Sequence, residues 1–218
     1  MMRIGVVIPF VQDTYIGPLL NCIERNSVRP DEIIMIDNSK KDTKLQITHL
    51  HLQHFRPSSP LGVNASWNYG IKELIEKDCD LISILNDDLL VEDLFFEKLI
   101  RLASKHPEAG VLCPETLRSP EALKNALPIG SESVCGMKKR EGWAWTIRAS
   151  LARTIPPIPG EMKTFCGDDW YWHRCRAQGR PWMKMINNRC FHYVGQSTVL
   201  MDVRKDLRVE KSIMSTLL

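Results

Sequence analysis

Four short stretches of this sequence carry residue types that do chemistry. Asn86-Asp87-Asp88 follows the apolar run D-L-I-S-I-L at 80–85. Two adjacent carboxylates at the tip of a buried strand make a hard-oxygen site for Mg²⁺ or Mn²⁺. Such an ion neutralises a diphosphate and acts as a Lewis acid for its departure. The same acids would also suit the start of a helix, where Asp caps backbone N–H groups. Gly167-Asp168-Asp169 precedes Trp170-Tyr171-Trp172-His173-Arg174. Either acid could take a proton from a hydroxyl as a general base, or both could only complement a helix dipole. His192, in F-H-Y-V-G-Q-S-T at 191–198, offers an imidazole to a metal shell, although a single histidine is commonly structural. Gly62-Val63-Asn64-Ala65-Ser66-Trp67-Asn68-Tyr69-Gly70 puts small and amide residues at a helix start. There a ligand can approach backbone N–H groups, and an ordinary cap reads the same way.

Other features carry less. Trp143 and Trp145 alternate with Ala144 and Thr146, which puts both indoles on one side of a strand. Trp170, beside Asp169, is the tryptophan expected to touch a ligand, with most of the others in the core. Lys138-Lys139-Arg140 is a basic run in a loop, either a phosphate contact or a solvated face. His49 and His51 share one face of a strand and His54 the other. No acid or cysteine is near them in sequence, which argues against zinc.

These residues need a scaffold. The run at 3–9 is short, apolar and β-branched, as suits a strand buried on both faces and stopped by Pro9. Helical spacing follows at 16–26, a second buried strand at 32–37, a polar helix start at 39–45 and a weaker strand at 48–55. A helix at 65–77, a strand at 80–85, a helix at 94–104 and a strand at 110–113 complete the first half. Strands alternating with helices of this length imply a parallel sheet covered on both faces. Ligands of such sheets sit beyond the carboxyl ends of the strands, where Asp37 and Asp87-Asp88 fall. The second half is less regular: a loop with a short helix at 118–136, a strand at 143–150, a rigid I-P-P-I-P-G at 155–160, a helix at 168–178, and strands at 182–186 and 190–194.

Composition bounds the rest. With 218 residues, 44% apolar and 25% charged, the chain reads as one globular domain over 1–218. That excludes a disordered tail, a collagen-like chain and a coiled coil. The net charge of +3 is dispersed and does not call for a nucleic-acid or membrane partner. No stretch reaches the ~18 apolar residues of an integral membrane segment, and no signal peptide is expected. Seven cysteines without a C-x-x-C imply free thiols in a cytoplasmic protein.

The order of these motifs resembles family 2 glycosyltransferases of the GT-A fold. V-V-I-P-F at 6–10 looks like the family's opening strand, and P-D-E-I-I-M-I-D-N-S at 30–39 like its second. L-G-V-N-A-S-W-N-Y-G at 61–70 is similar to its helix start, L-N-D-D at 85–88 to its D-x-D-type metal motif, and G-D-D-W-Y-W-H-R at 167–174 to the motif supplying its base. The resemblance spans residues 3–198 and implies an α/β fold with a Rossmann-like mixed sheet flanked by helices. Residues 1–114 would bind the nucleotide-sugar, and 115–218 the acceptor. Pro9, Phe10, Asp37, Asn68 and Asp87 would contact the nucleotide or its sugar, and Asp88 with His192 would hold Mn²⁺ or Mg²⁺. Asp169 would be the base, with Asp168 the second choice, in inverting transfer of a hexosyl type from a UDP-sugar to a glycan or other hydroxyl-bearing acceptor. Two departures stand out: Asn86 opens the metal motif in place of Asp, and Gly167 stands where Glu is common. Two alternatives remain open. A domain binding nucleotide or glycan without turnover would tolerate Asn86. A sugar-phosphate nucleotidyltransferase would want a Gly-rich basic loop after the first strand, which 9–18 lacks. A nucleic-acid acceptor would need a basic patch that sequence alone does not locate.

Overall fold

The computed structural model describes residues 2–12, 14–39, 50–125, 127–193 and 203–217. β1 (Ile4–Phe10) is buried along its whole length. It lies between β2 (Glu32–Asp37) and β4 (Leu81–Leu85), parallel to both, and β3 (Leu52–Phe55) extends the sheet beyond β2. Side chains of a strand alternate between faces. Ile4, Val6, Ile8 and Phe10 therefore pack with α1 (Ile16–Arg25) and α3 (Phe95–Lys105). Val7 packs on the opposite face with α2 (Val63–Glu76). Burial on both faces is why the strand reads as one continuous apolar run. α2 sits unusually close: a Cβ on Gly5 would lie 2.4 Å from Leu74, and one on Gly70 2.4 Å from Val7.

Beyond β4 the sheet continues through β8 (Ala144–Arg148), β6 (Val111–Leu117), β9 (Trp182–His192) and β5 (Leu89–Val91). β8 runs antiparallel to β4 and β6, and β5 antiparallel to β9, while β6 and β9 are parallel. β7 (Ser133–Gly136) pairs with β9 off this path. The sheet is thus mixed, as the family resemblance implies, and not the wholly parallel sheet suggested by strand–helix alternation. A short 3-10 helix at Pro120–Lys124, within the stretch 118–136 where a short helix is expected, together with α4 (Ala149–Ala152), α5 (Gly167–Ala177) and α6 (Val203–Leu217), completes the helices among the described residues.

The second half departs most from expectation. β9 is one strand where two were expected, because a bulge carries it across Asn187 and Asn188. Its register with β6 jumps from Pro114↔Met185 to Glu115↔Arg189, and Asn187 takes a left-handed φ of 61°, as asparagine tolerates. A buried ionic group holds the bulge. Lys98, fully buried, donates to Glu92 Oε1 and to the carbonyl of Asn187, both at 2.8 Å. Arg189 donates to Glu92 Oε2. Breaking such a pair from one side leaves a buried charge uncompensated, a loss of roughly 3–5 kcal/mol. The short strands β5 and β7 were not expected. Trp145 joins Trp182 and Tyr171 in the core on the α2 face, whereas Trp143 lies outside β8 and packs toward the α1 face. The two indoles therefore do not share a side. Residues 40–45 of the helix start expected at 39–45, and Thr48, His49 and Val194, lie outside the described residues. All seven cysteines are free, and no described helix is long and apolar enough to cross a membrane.

Candidate active site

Strand order β3-β2-β1-β4 reverses direction of growth at β1. A doubly wound sheet opens its ligand crevice at such a point, beyond the carboxyl ends of the strands. Phe10 ends β1, Asp37 ends β2 beside it in register, and Asp87 follows β4. The backbone N–H of Val11 donates to Asp87 Oδ2 at 3.3 Å across the crevice. Pro9 and Phe10 are buried, and the Phe10 ring stacks on His54 at 6.0 Å. Asp37, with only 1% of its surface exposed, accepts from the Ser39 N–H at 2.8 Å. His54 Nε2 lies 3.3 Å from its other oxygen and Arg56 3.8 Å. His54 therefore has an acidic partner, contrary to the local reading of the histidine cluster. The partner sits on the adjacent strand, out of sight of a sequence window.

Asp87 and Asp88 are not helix caps, because β5 follows them directly. β5 pairs Leu89 with His192 on β9, and that register delivers the imidazole to Asp88. Nε2 of His192 lies 3.0 Å from Asp88 Oδ1, and the Tyr193 N–H donates to the Asp88 carbonyl at 3.0 Å. Trp143 stacks on His192 at 5.2 Å and donates its indole N–H to Thr116. Two residues 104 positions apart thus meet beside the crevice. The carboxylate suits Mn²⁺ or Mg²⁺, and Mg²⁺ commonly takes only one or two carboxylates plus substrate phosphates, while the imidazole is the softer donor of the two. Among the described residues no group of three or more His, Cys, Asp and Glu side chains gathers to hold a metal by itself. Asp88 and His192 could serve a divalent ion as a two-point holder at most, with a ligand needed to complete its coordination.

Asp168 and Asp169 occupy the first turn of α5, where the helix dipole favours anions. Their surroundings were not foreseen. Arg140 sits over the pair: its Nη2 donates to Asp169 Oδ2, and its Nε faces both Asp169 Oδ1 and, at 3.3 Å, Asp168 Oδ2. Of the basic run at 138–140, read as a phosphate contact or a solvated face, Arg140 is part of an internal ion pair in this structure. Burial raises the Asp168 carboxyl above the usual range; Arg140 opposes that and Asp169 adds to it. Cys166 precedes the helix with φ 59°, a left-handed conformation that costs a non-glycine residue energy and gathers at functional sites. Burial, then the charges of Asp169 and Asp168, push its thiol up to about 12, so it is no nucleophile at neutral pH. Trp170 is buried and its indole N–H donates to the Pro156 carbonyl at 2.9 Å. It packs in the core and does not reach out toward a ligand.

In the 61–70 stretch two asparagines are engaged by distant backbone. Asn64 on α2 donates its amide to the carbonyls of Met162 and Phe165 at 2.9 and 2.8 Å. Its backbone N–H donates to Lys163 at 3.1 Å, so that orphan helix donor is taken by protein. Asn68 engages Ile158 with both amide atoms, at 2.8 and 2.9 Å. The two asparagines fasten the 156–167 connection that delivers α5. Their side-chain partners lie 90 to 101 residues away, and no local signal gives them.

Solved structures share this fold. The crystal structure of S. aureus TarS matches with a TM-score of 0.68 at 16% identity, over 88% of this chain and 37% of that one. S. aureus TarS 1-349 in complex with UDP matches with 0.68 at 15%, over 96% and 64%. GalNAc-T7 with UDP, GalNAc and Mn²⁺ matches with 0.67 at 12%, over 88% and 44%. The chain spans less than two thirds of each of these structures. No curated protein matches the sequence. The sequence profile described as Glycosyl transferase family 2 matches residues 5–156. That span contains Asp37, Asp87 and Asp88 and ends before Asp168, Asp169 and His192. More than half of the sequence fits this profile on a GT-A architecture, and the chain belongs to glycosyl transferase family 2.

Proposed function

We propose that this chain transfers a sugar, with inversion, from a nucleoside-diphosphate sugar to an acceptor hydroxyl, and that UDP is the nucleotide. The observation carrying this reading is the meeting of Asp88 with His192 at 3.0 Å beside Asp87 and the β1/β4 crevice. Related folds bound to UDP, one of them also with Mn²⁺, support the same choice. Pro9, Phe10 and Asp37 line the nucleotide subsite, and Asp87 stands at the ribose or sugar. Asn68 lies in the helix that would close over the nucleotide, and its amide is engaged by Ile158 of the connection that delivers α5. Asp88 and His192 would hold Mn²⁺ or Mg²⁺, which when bound neutralises the diphosphate and assists its departure.

The protein's own part in the transfer is positioning and proton removal. A carboxylate at the head of α5 accepts the proton of the acceptor hydroxyl as its oxygen bonds to the anomeric carbon and the diphosphate leaves. Asp169 is the preferred base and Asp168 the second. The chosen oxygen must stand within about 2.6–3.2 Å of that hydroxyl, a place Arg140 fills in this structure, so Arg140 turns aside or shares the site when the acceptor enters. Residues 1–114 hold the donor and 115–218 the acceptor, with His192 reaching back to the donor side. The free thiols support a reducing, cytoplasmic setting.

The capture of both Asp169 oxygens by Arg140 favours one other reading, a domain that binds nucleotide or glycan without turnover. A screen of nucleotide-sugars for hydrolysis, with Mn²⁺ and no acceptor, separates them. Release of a nucleoside diphosphate from one donor class is expected. Binding of UDP with no release from any donor would leave the binding domain.

A further inference from the structure

The loop before α5 is held from a place the sequence gives no reason to suspect. Lys163, Thr164 and Phe165 present three consecutive backbone N–H groups to one side chain, Glu210 of α6. Lys163 and Thr164 donate to Glu210 Oε1 at 3.1 and 3.0 Å, and Phe165 to Oε2 at 2.7 Å. Consecutive N–H groups that converge in this way form a concave anion site. Here the chain fills it with its own carboxylate, which is only 4% exposed. Hydrogen bonds to a charged acceptor are roughly twice as strong as neutral ones. The carbonyl side of the same loop is fixed by Asn64, through Met162 and Phe165. Gly167, next along, has no room for a side chain, because a Cβ would lie 2.2 Å from Asn64 Oδ1. Between these holds sits Cys166 in its left-handed turn, and directly after it Asp168 and Asp169. α6 is also packed down independently. Leu207, Ile213 and Met214 meet the core on the α2 face, and Arg174 of α5 donates to the Leu217 carbonyl at 3.3 Å.

We propose that Glu210 is a positioning residue for the acid pair at the head of α5, so that the C-terminal helix belongs to the active site without touching substrate. This rests on the reading of Asp168 and Asp169 given above. The carboxylate sets the path of 163–165, which sets the turn at Cys166 and the direction in which the first turn of α5 leaves it. The nucleotide subsite at β1, β2 and β4 takes no support from Glu210.

The test uses the full chain with Glu210→Gln and Glu210→Ala, assayed for UDP binding with Mn²⁺ and for hydrolysis of the donor identified by the screen. The neutral glutamine keeps the length and loses the charge and one acceptor atom. A displacement of about 1 Å at a reacting group can lower the rate by roughly 10²-fold. The expected result is a kcat lowered by roughly 10- to 100-fold, with donor KM and UDP Kd within about twofold of wild type. Faster amide hydrogen exchange should be confined to 163–170. If Glu210→Ala does not fold, Glu210→Gln carries the test. Wild-type kcat in a folded Glu210→Gln variant would overturn the proposal alone, as would equal losses in kcat and UDP binding. A wild-type chain that hydrolyses no donor would overturn the reading of the acid pair, and this proposal with it.

Discussion

Asp37, Asp87 and Asp88 stand at the ends of strands whose places are set by backbone ladders. Asp168 and Asp169 stand on a helix whose approach is set by side chains from three distant segments. On the donor side, β1–β2 and β1–β4 pairing fixes the carboxylates, and β5–β9 pairing brings His192 to Asp88. On the acid-pair side, Asn64 and Asn68 of α2, Glu210 of α6 and Arg140 of the β7–β8 loop do the fixing. A ladder shares its load over many equivalent bonds, and a clamp concentrates it on a few. Removing one side chain should therefore harm the acid-pair side more selectively than the donor side.

The sharpest break between the two regions is Asp169→Asn. Transfer or donor hydrolysis should fall by roughly 10²–10⁴-fold, the usual contribution of a positioned general base, while the UDP dissociation constant measured by calorimetry stays unchanged. If Asp169→Asn turns over normally and Asp168→Asn does not, the base is Asp168. The reciprocal test is Asp88→Ala. UDP with Mn²⁺ at about 100 times its dissociation constant should stabilise the wild type by ~2.7 kcal/mol. For a chain of this size that is a rise in melting temperature of roughly 5–10 °C. The variant should lose that rise, and a wild-type protein unmoved by any nucleoside diphosphate would remove the donor site altogether.

Asn68→Ala probes the clamp from the donor half. Losing its two bonds to Ile158 should lower stability by about 1–3 kcal/mol in chemical denaturation, with kcat falling more than UDP affinity. An equal loss in UDP affinity would mean that Asn68 touches the nucleotide itself. The smallest effect concerns pH. Burial already raises Asp168, and Arg140 holds that rise in check. Arg140→Gln therefore lets Asp168 keep its proton to a higher pH. A base works only when deprotonated, so with Asp168 as the base the acidic limb of the kcat profile should move to higher pH. Asp169 and Cys166 are the other titratable neighbours in this cluster. Cys166→Ser, which leaves both carboxylates in place, should shift that limb less than Arg140→Gln.

The same contrast explains what could be read from the sequence. The donor side was legible because a strand buried on both faces leaves a continuous apolar run, and the acid after it marks the ligand edge. Asp37, Asp87 and Asp88 all follow that rule. Asp168 and Asp169 were visible as acids at a helix start. Their controllers were not: Arg140 reads as part of a solvated basic run, and Glu210 as one more charge on a polar helix. Asn64 sits in a recognised stretch, yet its carbonyl partners lie 98 and 101 residues away. The sequence reads as two strands, 182–186 and 190–194, where the fold has β9 alone. What keeps 187–189 in a strand is the buried Glu92, Lys98 and Arg189 group, which only the folded chain assembles.

The bulge in β9 acts as a parity device. Ile186, Asn187 and Asn188 separate Met185 from Arg189 on this strand, while their partners Pro114 and Glu115 are neighbours. An odd number of extra residues exchanges inside for outside in everything that follows, because side chains alternate with a period of two. The imidazole that meets Asp88 thus owes its facing to an arithmetic feature several residues upstream. Shortening 186–188 by one residue would present Phe191 or Tyr193 in its stead, with every donor-side carboxylate still in place.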